Sequence, residues 1–275
     1  MRFFSRLTRG WQICLSSFAI LNENKRLILF PLLSGLSLLL ISGTFATALF
    51  GVTGWSFDWT RIKEIRINYG ILFGYYLVTY FILVFFNTAL MYCARSYFKG
   101  GKVSVAEGLH FSLGRITAIL SWSVFAATIG FLLKLIQENV GFLGRVFTNT
   151  AGIAWSIATF FVVPVIAYEN AGPLQAFKRS AEIMKQKWGE SLGATFSFGL
   201  IQFTAILLIA TPLLIIGFLI NVYAGLFLAA LGSIFVISAM GAAQIIFISA
   251  VYHDVNGGPA RRFNRQLEQP LFVHK

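Results

Sequence analysis

The chain has 275 residues, 57% of them hydrophobic and 12% charged, with a mean hydropathy of +0.76 and a net charge of +12. Soluble domains run about 45–50% apolar and about 25% charged, so this composition excludes a water-soluble globule and requires lipid as the main solvent. The cations lie in short segments between apolar runs, which points to anionic headgroups and away from nucleic acid.

Residues 1–26 read as an amphipathic helix on the cytoplasmic side. Phe4, Leu7, Trp11, Cys14, Phe18 and Leu21 recur at spacings of three and four, and Arg2, Ser5, Arg9, Gln12 and Ser16 fall opposite. Arg2, Arg6 and Arg9 make this segment basic, and it has no early apolar run with a cleavage site, so it does not read as a removable signal. Residues 27–252 then carry six apolar runs, at about Leu27–Phe50, Gly70–Tyr92, Ile116–Leu135, Thr148–Tyr168, Leu192–Ile220 and Gly225–Tyr252. Each is near the ~20 residues that cross ~30 Å of hydrocarbon. The fold expected is all-α: about six transmembrane helices in three hairpins, each preceded by a cytoplasmic amphipathic helix.

The second such helix is short (Val105, Leu109, Leu113, Ile116), and the third runs through Leu174, Phe177, Ala181, Met184 and Trp188. The aromatic segment Trp55–Trp59 after the first span suits a membrane interface. Pro31, Pro164 and Pro212 predict local kinks, and Gly70/Gly74, Gly189/Gly193 and Gly225/Ala229/Ser233 predict close helix packing. Residues 253–275 form a basic tail with Arg261, Arg262 and Arg265.

Orientation follows from the cations. One set of segments holds 17 Lys and Arg, and the alternate set holds 5. The positive-inside rule puts the richer set, and with it both termini, in the cytoplasm. Arg2, Arg6, Arg9, Lys178, Arg179, Lys185, Arg261, Arg262 and Arg265 are the candidate headgroup contacts.

Chemistry is harder to find. Gly189-Glu190-Ser191-Leu192-Gly193 satisfies G-x-S-x-G, but it sits in helical sequence and lacks the strand–turn–helix a nucleophile elbow needs. His110, His253 and His274 offer no i, i+4 metal pair, the two cysteines have no metal spacing, and no phosphate-binding loop appears. No catalytic, metal or cofactor site is expected. The polar residues within spans are Asn87, Gln202 and Gln244, with Glu169 at the cytoplasmic rim. Such amides serve as interhelical hydrogen-bond glue, or line a solute path.

The stretch Pro164-Val165-Ile166-Ala167-Tyr168-Glu169, followed by Gly172-Pro173-Leu174-Gln175-Ala176-Phe177-Lys178-Arg179-Ser180 and Trp188-Gly189, resembles uncharacterised, mostly bacterial six-span membrane families. These look related to the membrane domain of glycerophosphodiesterases. The resemblance implies the same topology and a bacterial inner membrane. It carries no phosphodiesterase activity, because the catalytic domain has no counterpart here. The expected function is non-enzymatic lipid binding or membrane organisation. A permease for a neutral or amphiphilic solute and an intramembrane lipid enzyme are the alternatives. A homo-oligomer or a larger membrane complex stays open.

Overall fold

The computed structural model describes residues 2–52 and 69–256. The expected aromatic interface segment around Trp55 and Trp59, and the tail cations Arg261, Arg262 and Arg265, lie outside the described residues.

The described chain is helical throughout, with helices α1 (Arg2–Glu23), α2 (Leu29–Val52), α3 (Tyr69–Phe98), α4 (Val105–Leu113), α5 (Ile116–Asn139), α6 (Phe142–Ala158), α7 (Val162–Glu169), α8 (Pro173–Ile220) and α9 (Val222–Val255). Six stretches are long and apolar enough to cross a membrane: Lys25–Ala48, Tyr69–Phe98, Ile116–Asn139, Gly144–Glu169, Ser191–Ile220 and Val222–Val255. They match the six apolar runs within a few residues. Arg2, Arg6 and Arg9 fall within α1.

The spans close into a ring. Around it α2 touches α3, α3 touches α5, α5 touches α6, α6 touches α8, α8 touches α9, and α9 returns to α2. Helix α7 sits inside, against α3, α8 and α9, with Val162, Val165, Ile166 and Ala167 almost wholly buried. Helix α1 lies against α8 and α9. We call the end that carries α1, α4 and the start of α8 the basic end, and the other the distal end.

The fourth span is two helices because of Pro164. Its ring has no N–H for the carbonyl of Phe160 and would collide with it. The chain therefore turns at Thr159–Phe161, and Pro164 falls in the first turn of α7, where proline is tolerated. The freed backbone groups are satisfied by one side chain of α8. Ser180 Oγ accepts from the Phe161 N–H at 2.9 Å and donates to the Ala158 carbonyl at 2.6 Å. Non-helical backbone at membrane depth survives where protein groups replace the lost bonds in this way. A ladder of rings flanks the break: Trp122 on α5 stacks on Trp155 of α6, which stacks on Phe177 of α8.

The other two prolines do not divide their spans into separate α-helices. Pro31 lies in the first turn of α2, directly after a 3-10 turn at Lys25–Ile28. Helix α8 runs through Pro212, and its one non-helical residue is Lys187, at φ −117° and ψ 25°, where the peripheral segment becomes the span. The glycine expectations divide as well. A Cβ on Gly74 would meet nothing within 4 Å, so Gly74 is not a packing contact. A Cβ on Gly217 would stand 2.2 Å from the Gly225 Cα. That backbone contact closes the α8–α9 hairpin over its single linking residue, Asn221, whose side chain caps α9 at the Ala224 N–H.

The three peripheral segments dock through part of the apolar stripe that their periodicity marks: Cys14 and Leu21 in α1 and Met184 in α8 are buried, and Phe18, Val105, Leu109 and Phe177 pack against the core. Small side chains complete these contacts: Ser17 in α1, Gly108 and Ser112 in α4, Ala176 and Ser180 in α8. The large apolar residues Trp11, Leu15, Leu113, Ile116, Leu174 and Trp188 face outward. Small residues let these helices come close to the bundle. Cys14 is buried, and burial pushes its thiol up to about 12. Cys93 is buried too and donates to the Ser104 carbonyl at 3.2 Å. Neither thiol should react with a maleimide at about pH 8 until the protein is unfolded in SDS, as a mass-shift labelling assay would show.

Candidate functional site

At the basic end the helix termini are tied by paired polar groups. Tyr168, near the end of α7, donates to the Met91 carbonyl at 2.8 Å, lies 3.2 Å from Ser249 Oγ, and carries the Arg95 guanidinium over its ring at 4.7 Å. Glu169 accepts from the Tyr252 hydroxyl at 2.6 Å and from Arg179 Nε at 3.3 Å. Arg179 also reaches Glu182 and the Asn256 side chain. Burial pulls the Arg179 guanidinium down, but its bonds to Glu169 and Glu182 outweigh that and hold it above its ordinary value. Lys187 pairs with Asp254 at 3.1 Å, and Tyr97 bonds to Glu23 of α1.

These contacts revise two expectations. Glu169 is engaged with Tyr252 and Arg179 and does not stand free at the mouth of a path. Arg179, expected to meet headgroups, is half-buried among protein partners, whereas Lys178 and Lys185 on the same helix are exposed. Glu169→Gln should cost about 1 kcal/mol, since the Arg179 pair is about a third exposed. A drop of a few degrees in melting temperature that shrinks in high salt would check it; no salt dependence would show that charge is not the cause.

Two cavities open in the ring. A lateral cleft of about 470 Å³ lies between α2, α3 and α9. Its polar lining includes Ser34, Asn87 and Gln244, and its remaining walls are largely Leu and Ile such as Leu38, Leu83 and Ile237. Two of the three expected intramembrane amides therefore share one site. Gln202, on α8, lines neither cavity, so the three do not form one path.

The second cavity, of about 690 Å³, is a vestibule between α3, α5, α6 and α8. Gln137 and Asn149 are hydrogen-bonded near the distal end. Deeper in stand Ser156 and Thr195, and the vestibule reaches Phe160 at the break before α7. Sequence reasoning missed it, because its polar residues are hydroxyls and amides scattered over four helices, with Lys134, which pairs with Glu138, beside them. Gln137 and Asn149, at adjoining span ends, were the available signal.

Among the described residues no group of His, Cys, Asp and Glu is placed to hold a metal ion. Ser191 of the G-x-S-x-G match is buried inside α8, four residues beyond the Lys187 irregularity, on helical backbone. No curated protein matches the chain. A family profile matches residues 66–260, from just before α3 to just past α9, and with that match the chain belongs to a family of unknown function, DUF6159.

Proposed function

We propose that this protein is non-enzymatic and engages anionic lipid at its basic end, which faces the cytoplasm of a bacterial inner membrane together with both termini. The observation that carries this reading is the docking of the three peripheral helices. Each also presents exposed large apolar side chains, Trp11 and Leu15 in α1, Leu113 in α4, Leu174 and Trp188 in α8, near exposed cations such as Lys25, Arg26, Lys178 and Lys185. Trp11, Leu113 and Trp188 suit the headgroup boundary, and lysine stems reach from there to phosphate. The bacterial placement, and a kinship with the membrane domain of glycerophosphodiesterases, draw support from the sequence stretch 164–189.

Native mass spectrometry of the full chain in mild detergent, offered phosphatidylglycerol and phosphatidylcholine, tests it. The anionic lipid should be retained preferentially, and Lys178→Gln/Lys185→Gln should reduce that preference. Equal retention of both lipids by the unsubstituted protein would overturn the reading.

The vestibule favours a second reading, a permease for a neutral solute. Its walls hold Ser156 and Thr195, and it extends down to the helix break. If this is right, Ser156→Leu/Thr195→Leu should block solute flux into proteoliposomes, and unchanged flux would remove it.

A further inference from the structure

We propose that the lateral cleft between α2, α3 and α9 is a binding site for an acylglycerol lipid, held at the ester carbonyls of its chains. The inference goes beyond headgroup attraction at the basic end, because it concerns a different site and an uncharged part of the ligand.

Five polar side chains line this cleft; Ser42 and Ser238 are hydrogen-bonded to the protein, and three are not. Ser34 is 5% exposed and its Oγ has no partner, although a helical serine can ordinarily bond back to its own helix. Asn87 and Gln244 line the same space, and neither amide is hydrogen-bonded to another described residue. Polar groups left unpaired in apolar surroundings cost stability, so three of them in one cleft call for a partner. No charged side chain lines the cleft, so a neutral group suits it. A hydroxyl and two amide NH2 groups can all donate, which matches a ligand rich in acceptors.

Depth selects the acceptor. Ser34, Asn87 and Gln244 all stand in the basic-end half of their spans, 9, 11 and 11 residues from Lys25, Phe98 and Val255. The three donors therefore face the leaflet at the basic end, whose neutral acceptors are ester carbonyls. Below them, toward the bilayer centre, Leu38, Leu39 and Ile237 offer a wall for acyl chains. The cleft is also accessible from lipid, because Leu36, Leu39 and Leu40 beside it are exposed. The space adjoins Gly35, where a Cβ would meet nothing within 4 Å, so a larger side chain there can project into it.

The test uses the full chain in mild detergent and native mass spectrometry with three probes: dioleoyl phosphatidylcholine, its diether analogue without carbonyls, and dioleoylglycerol. The diester should be retained at least about tenfold more than the diether. Asn87→Leu/Gln244→Leu and the cleft-filling Gly35→Leu should each lower diester retention by a similar factor, and Gln202→Leu should leave it unchanged. Equal retention of diester and diether by the unsubstituted protein overturns the proposal without reference to any variant. So does full retention by the Asn87→Leu/Gln244→Leu variant at an unchanged melting temperature. Retention of dioleoylglycerol as well identifies any acylglycerol as the ligand, and retention of phosphatidylcholine alone identifies a phospholipid. Both outcomes support carbonyl recognition. Because phosphatidylcholine carries no net charge, a failure here is separable from a failure of the anionic-lipid reading.

Discussion

Ser180→Ala should lower the melting temperature of the solubilised protein by roughly 4–24 °C. The side chain is fully buried and serves two backbone groups at once, the Phe161 N–H and the Ala158 carbonyl. Alanine leaves both orphaned where water is scarce, at about 1–3 kcal/mol for each unsatisfied group, or about 2–6 kcal/mol together. For a chain of this size each kcal/mol shifts the midpoint by roughly 2–4 °C. The comparison is Ser156→Ala on α6, about one turn before Thr159; the Ser156 hydroxyl bonds back to the Gly152 carbonyl of its own helix and serves no group at the break. That change should be nearly neutral. If Ser180→Ala melts with the unsubstituted protein, the break at Thr159–Phe161 is stabilised by something other than this hydroxyl.

Gly108→Val should detach α4 from α3. Even the first carbon of a side chain at Gly108 would stand 2.8 Å from Cys93 Sγ, 2.9 Å from the Ala89 carbonyl oxygen and 3.0 Å from Phe30 Cζ. The carbonyl belongs to the α3 backbone and has little freedom to yield, so the helix must move away. Overpacking of this kind costs about 1–3 kcal/mol, and here it also breaks the contact that covers Cys93. Maleimide labelling of Cys93 in the native protein should rise in step with the loss of stability. Gly152→Ala is the control, because its Cβ meets nothing within 4 Å and alanine favours the helix by about 1 kcal/mol. If Cys93 stays protected in Gly108→Val, the α4 contact is more compliant than its geometry indicates.

The spans were readable in the chain because length and apolarity act locally. Six runs of the right length predict six helices whatever their neighbours are. Which members of each apolar stripe stay outside was not readable, because the periodicity that marks Leu21 and Met184, both buried, marks the exposed Trp11, Leu113, Leu174 and Trp188 equally, and part of the close contact is made by Ser17, Gly108, Ser112, Ala176 and Ser180. In water, large apolar residues turn inward; beside lipid they have no such preference, and shape decides instead. The same reasoning explains the polar residues. Asn87 and Gln244 were identifiable as amides in apolar runs, and their shared cleft required knowing that α9 returns to α2. Gln202 has the same chemistry and lies elsewhere. Glu169 and Arg179, ten residues apart, were visible as charges, but Tyr252, which donates to Glu169, and Asn256, which accepts from Arg179, come from the far end of the chain.

The reliance of the α6–α7 break on Ser180 bears on biosynthesis. The hydroxyl that completes this segment is encoded 19 residues after the Phe161 amide it serves. While the ribosome has yet to deliver α8, the fourth span has unmet backbone groups and is a poor candidate for release into the bilayer alone. Insertion machinery should therefore retain it until the next span arrives, so that the two enter as a pair. Nascent chains arrested before Ser180 has left the ribosome should crosslink to the translocation channel through the fourth span, and longer ones should not.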